Sequence, residues 1–338
     1  MALVWMDGFD HLTNSQMTRR YSSFSANSLT SSTRFSVGQA VHFTAASHNF
    51  EKILSSAAAW RIGCAFQLTS FLSNAPTLMY ISDSGTTQAA VLLNNMRFQI
   101  TGAGGTSLGI STRAFNLNVW YHVEWYIVPE NSLSSGHCVL MVDGEQWMSV
   151  TSGDTQATAN SSANRIGAIG SSNSVLSIDD LFAFQESVTS SPTFDGDMRV
   201  VTLYPNGNGN YSQFVGSDGN STNNFQLVDE AQANDNTDYV ERDVVGDKDS
   251  YAFENLPSTP DAIKGVQICT IANKQDAGSR TGRMFFRISG TDYESADFTP
   301  AEASYTAFTH LADVSPATSS AWTESEVNGM EAGIKVQA

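Results

Sequence analysis

Val119-Trp-Tyr-His-Val-Glu-Trp-Tyr-Ile-Val128, followed closely by Cys138-Val-Leu-Met-Val-Asp-Gly-Glu145, decides the fold class of this chain. In an extended strand Val119, Tyr121, Val123, Trp125 and Ile127 fall on one face, and Trp120, His122, Glu124 and Tyr126 fall on the other. The second stretch is a short apolar run into Asp143-Gly144, the dipeptide of a two-residue hairpin, and Gln146 to Val150 reads as its returning strand. The period is two, and helical spacing is absent.

Along the rest of the chain, short β-branched and aromatic runs are separated by clusters of Gly, Asn, Asp and Ser, which predicts an all-β protein. Before the opening stretch come Ala2 to Phe9, Ala40 to Phe43, Trp60 to Leu68, Thr77 to Ser82, Ala89 to Leu93 and Arg97 to Thr101. After it comes Val175 to Phe184. Thr13 to Thr33 and Ser152 to Asn164 read as irregular. The chain of 338 residues is long enough for two cores. The boundaries read from the sequence are a β-sandwich over 1–188, a linker over 189–193 and a mainly-β domain over 194–338.

In that second domain, 206–210 and 217–224 are loops by composition, and strands are expected over 263–272, 283–289 and 305–310. Thr323 and Glu326 form a capping box, which predicts one short helix to about Glu331, stopped by Gly333 and followed by a last strand from Ile334 to Val336.

The formal net charge of -17 excludes general nucleic-acid binding, which needs cationic neutralisation of phosphates. The charge is uneven: residues 1–190 carry 8 basic and 12 acidic side chains, against 9 and 22 in residues 191–338. Solvated acidic loops account for the second set. No apolar run is long enough to cross a bilayer as a helix, so no membrane insertion is expected, and Met1 to Asp10 has no signal-like pattern. Cys64, Cys138 and Cys269 form neither a disulfide framework nor a zinc pattern; buried thiols are the reading, with a Cys64–Cys138 bridge left open.

The "WYH-V" strand and "V-DG" hairpin resemble the laminin-G/concanavalin A-like jelly roll. Ile178-Asp-Asp-Leu181 is similar to the closing strand of such domains. Asp7-Gly-Phe-Asp-His11 resembles their start in structural proteins of tailed bacteriophages, and the acidic second half is similar to C-terminal regions of phage fibre proteins. The resemblance implies a non-enzymatic virion structural protein: a fibre, spike or decoration at the virion surface, assembled in the host cytoplasm. Its implied partners are itself, as a homotrimer, phage capsid or tail proteins, and a host-surface glycan. It also implies calcium as a candidate ligand, at Asp179 and Asp180, with Asp83, Asp247 and Asp249 as further oxygen donors.

Catalytic motifs are absent. Glucanases of the concanavalin A type carry E-x-D-x-x-E or E-x-D-x-E; here Glu124 stands alone on its strand, and Asp179 and Asp180 are expected on opposite faces. No G-x-S-x-G, H-E-x-x-H, P-loop or dinucleotide fingerprint occurs. The alternative to the virion reading is a lectin-like carbohydrate-binding module, with Trp120, Tyr126 and Trp147 as candidate aromatic platforms. A glycan hydrolase or lyase ranks third.

Overall fold

The computed structural model describes residues 1–338 apart from 27, 74 and 132–135. Those residues are almost all β, with one short α-helix among them, near the C-terminus. Two compact units are present: one comprises residues 1–10 and 14–200, the other residues 11–13 and 201–338. The division falls after Val200, beyond the expected 189–193 linker.

Unit one opens with β1 (Ala2–Asp7), β2 (Ser23–Ser25), β3 (Ser28–Thr30), β4 (Ala40–Phe43) and β5 (Asn49–Ala57). β6 (Trp60–Phe71), β7 (Thr77–Asp83), β8 (Thr86–Asn94), β9 (Arg97–Thr101) and β10 (Ser107–Ile110) follow. β11 (Trp120–Val128), β12 (His137–Val142), β13 (Glu145–Val150), β14 (Ala163–Ile169) and β15 (Ser174–Gln185) complete it. They form two antiparallel sheets. The eight-stranded sheet runs β13-β12-β11-β6-β15-β4-β3, with β1 also on β15; the seven-stranded sheet runs β10-β9-β8-β7-β14-β5-β2.

The alternation of the opening stretch holds. Val123, Trp125 and Ile127 are buried between the sheets with Phe66, Ile62 and Trp60 of the neighbouring strand. Phe66, Phe98 and Phe115 meet edge-on or tilted at 5.3–5.6 Å between centroids, a geometry that suits aromatic quadrupoles. Tight hairpins use paired positive φ values, 52° and 95° at Ser84-Gly85 and 48° and 79° at Asp143-Gly144, as type I′ turns require. The three cysteines are free thiols, so Cys64 and Cys138 are not bridged.

Five strands of the sandwich were not expected: β2 and β3, inside the stretch Thr13 to Thr33 read as irregular, β10, and the longer β5 and β14. β5 and β14 have no clean alternation, and β14 begins inside the stretch read as a loop. They pair with each other next to β7.

Unit two carries β16 (Pro205–Ser212), β17 (Val215–Gly216), β18 (Val240–Glu241), β19 (Lys248–Phe253) and β20 (Val266–Ala272). β21 (Gly282–Ile288), β22 (Thr291–Glu294), β23 (Thr306–Ala312), α1 (Glu324–Gly329) and β24 (Glu331–Val336) follow. Its main sheet runs β16-β19-β24-β21-β22. Phe286, Ile288, Trp322, Val327 and Met330 make its core. On the other face Lys248 and Arg287 each reach Asp292 at 2.7 Å, and Lys335 reaches Glu294 at 2.8 Å.

The sequence 206–210 is strand, not loop. Pro205 stands first in an edge strand, where its missing N–H costs no ladder bond, and β19 pairs with the Gly/Asn run. The Thr323 capping box is present, but the helix ends at Gly329 and Gly333 lies inside β24. A Cβ at Gly333 would collide with the Asp249 carbonyl oxygen and come within 2.5 Å of the Phe285 ring, so close packing, and not helix termination, requires the glycine.

Candidate functional site

Register brings together side chains that are far apart in sequence. On the outer face of the seven-stranded sheet, Thr101, Ala90, Tyr80, Gly167, Glu51 and Ser23 lie in one row across β9, β8, β7, β14, β5 and β2. In the row Tyr80 is flanked by the small residues Ala90 and Gly167. Tyr80 lies down over Gly167: a Cβ there would sit 2.5 Å from both Cζ and Oη of the phenol. The Tyr80 hydroxyl donates to Glu51 Oε2 at 3.1 Å, and the other oxygen of Glu51 pairs with Arg165 Nη1 at 2.5 Å. Burial, reinforced by Glu51, pushes the Tyr80 phenol well up, so it stays a protonated donor.

Tyr80 is only 7 % exposed, and Ser82, Ala90 and Thr101 on the same face are equally sunken. Ile53 (47 %) and Ile169 (38 %) stand out on the adjoining rows. The face is therefore a floor of small side chains bounded by exposed apolar groups, with a Tyr–Glu–Arg cluster against it. Neither Glu51 nor Arg165 stands out in the sequence, because β5 and β14 do not announce themselves as strands.

The expected site residues are distributed differently. Trp120, His122, Glu124 and Tyr126 do share the outer face of the eight-stranded sheet, but most of that face is covered. Tyr126 is fully buried; its hydroxyl donates to the Ser187 carbonyl at 3.1 Å and accepts from Thr189 N at 2.9 Å. It is a clamp for residues 186–200, not an exposed platform. Phe194 packs beside it.

The same segment is read by acceptors along its backbone. Glu124 takes the N–H groups of Asp195 and Gly196 at 3.2 and 2.8 Å, His122 Nε2 that of Met198 at 3.3 Å, and Asp180 Oδ1 that of Val200 at 2.8 Å. Arg61, 1 % exposed, is shared by Glu124 at 2.7 Å, Glu186 at 3.0 Å and Asp195 at 2.7 Å. Burial opposes its charge, but Asp195, Glu124 and Glu186 outweigh that and raise its pKa. Burial takes His122 down to about 4, so it is a neutral acceptor.

Asp179 and Asp180 do not point apart as an ideal strand requires. Asp180 is left-handed (φ 52°) within a bulge, and both carboxyls are buried. Burial raises their pKa values to about 8 and about 6, with the charge on Asp180 adding to the shift of Asp179. Asp179 Oδ1 accepts from Asp180 N at 2.8 Å. Among the described residues no group of three or more His, Cys, Asp or Glu side chains is placed to hold a metal ion. Asp83 accepts from Thr158 and Asn160 at 2.8 Å each, and Asp249 from Asn224 and Tyr251 at 2.8 Å each.

Trp147 lies apart from both faces, half-buried at the sandwich edge, edge-on to Phe98 with the Arg113 guanidinium 5.7 Å from its ring centre. Trp120 is half-buried on the outer face of the eight-stranded sheet.

No family model and no curated protein matches the chain. Similar solved structures include the alginate lyase Aly36B (11 % identity, TM-score 0.35, 43 % of this chain and 79 % of that one). A Trypanosoma rangeli sialidase bound to the inhibitor DANA is similar at 11 % identity and TM-score 0.36, over 48 % of this chain and 27 % of its own. Cip1, a cellulose-induced protein, is similar at 11 % identity and TM-score 0.38, over 56 % of this chain and 94 % of that one. This chain thus spans about a quarter of the sialidase. None of these is a phage protein, and two are named as enzymes acting on glycans. The expectation of a virion structural protein is corrected on that finding.

Proposed function

We propose that this chain is a carbohydrate-binding β-sandwich protein whose ligand lies across the outer face of the seven-stranded sheet. One observation carries the reading: the Tyr80–Glu51–Arg165 cluster, with the Tyr80 ring laid over Gly167 and set beside the small floor of Ala90 and Thr101. A sugar ring offers hydroxyls at its rim and C–H groups on its faces. Arg165 supplies donors for the hydroxyls, Glu51 an acceptor, and Ile53 and Ile169 supply apolar contact. Because the cluster is already hydrogen-bonded, it is held in one geometry before the ligand arrives.

Binding is preferred to hydrolysis for a chemical reason. Retaining hydrolysis needs two carboxyls about 5–5.5 Å apart, whereas this cluster contributes one, engaged by Arg165 and Tyr80. The raised Tyr80 phenol is unsuited to removing a proton near neutral pH.

The test is a glycan array followed by titration calorimetry of Tyr80→Phe and Arg165→Ala. Each substitution is expected to weaken the best ligand about tenfold or more, equivalent to about 1.4 kcal/mol, with the urea midpoint of the sandwich little changed. Unaltered affinity in both variants would refute this placement, and release of reducing ends by the wild-type protein would refute the non-catalytic reading.

A further inference from the structure

Trp120 opens a second row, on the outer face of the eight-stranded sheet. Register places Trp120 opposite Gln67, Gln67 opposite Ser177, Ser177 opposite His42 and His42 opposite Ser28. The five residues sit on five adjacent strands, β11, β6, β15, β4 and β3, on one face. With neighbouring strands about 4.8 Å apart, the row is about 19 Å long and repeats near the length of one pyranose unit. Trp120, Gln67, His42 and Ser28 are all half-buried, and Ser177 forms the sunken centre.

We infer that this row is a second carbohydrate-binding site, on the opposite sheet from the Tyr80 cluster, and that it takes a neutral glycan chain lying across the strands. Trp120 is an indole platform at one end, the usual partner of a sugar's C–H face. Gln67 brings an amide that both donates and accepts, and Ser28 brings a hydroxyl. His42 Nδ1 is tied to Ser177 Oγ at 3.1 Å, which fixes the imidazole and leaves Nε2 for a ligand hydroxyl. Burial, with His48 nearby, lowers the His42 pKa and keeps the ring uncharged near neutral pH.

The class of ligand follows from charge. No member of the row is cationic, so a uronate or sialate carboxylate would lose water without gaining a counter-ion. Arg34, 3.9 Å from Asp180 of β15, is already engaged by Asp197 at 2.5 Å.

The test uses the full chain and calorimetric titration with neutral hexasaccharides of glucose, mannose or N-acetylglucosamine, and with a uronic acid hexamer. It compares wild type, Arg165→Ala, Trp120→Ala and Gln67→Ala. The expected result is neutral-glycan binding that persists in Arg165→Ala and weakens about tenfold or more in both Trp120→Ala and Gln67→Ala, with urea midpoints recorded for each. Gln67→Ala keeps the test decisive if Trp120→Ala is unstable. Loss of all binding in Arg165→Ala would overturn this site while supporting the Tyr80 cluster. Preference for the uronate through Trp120 would overturn the ligand class. No binding by the wild type would overturn both sites.

Discussion

At the scale of single residues, unit one is unusual for the charge it buries. Arg61 is closed off from water, and three carboxylates converge on it. A buried ion group of this kind is costly to break, because removing one member leaves the others uncompensated. Arg61→Ala is expected to lose about 3–5 kcal/mol in urea denaturation. Asp179 gives the opposite sign. Its folded pKa, about 8, lies above the ordinary 3.8, so the folded state binds the extra proton. The folded state therefore loses stability as pH rises from about 4 through about 8. Asp179→Asn keeps the acceptor for Asp180 N and removes that ionisation. It is expected to be more stable than wild type at pH 8 and to converge with it near pH 4, as read from urea midpoints at both values.

These residues also mark where the sequence is legible. The alternation over 119–128 correctly places Trp120, His122, Glu124 and Tyr126 on one face, because strand period is local. It says nothing of what lies over the face: Tyr126 is buried by residues 187 and 189, more than sixty positions later. Asp179 and Asp180 are misread for the same reason, since a bulge with a left-handed residue depends on strand pairing.

At the scale of elements, strands with strong alternation or β-branched runs are legible, and the Thr323 cap is read from four residues. β16 is not, because Gly and Asn signal loops and only pairing with β19 makes them a strand. Nor are β5 and β14, and with them goes the Glu51–Arg165 pair, 114 positions apart. Gly333 tests the element-level account. Gly333→Ala puts a methyl group against Phe285 and the β19 backbone, and is expected to cost about 1–3 kcal/mol in unit two, measured by urea denaturation.

At the scale of the whole molecule, the chain divides its chemistry. Unit two pairs its basic side chains with acids across one sheet face and otherwise carries a large acidic excess. Unit one carries both proposed sugar faces, one on each sheet. Carbohydrate binding at the Tyr80 cluster is best tested by a crystal structure of the full chain soaked with its best array ligand. A sugar is expected over Tyr80 and Ala90, with a hydroxyl within hydrogen-bond reach of Arg165. A ligand bound elsewhere, with that face empty in the same crystal, would contradict it.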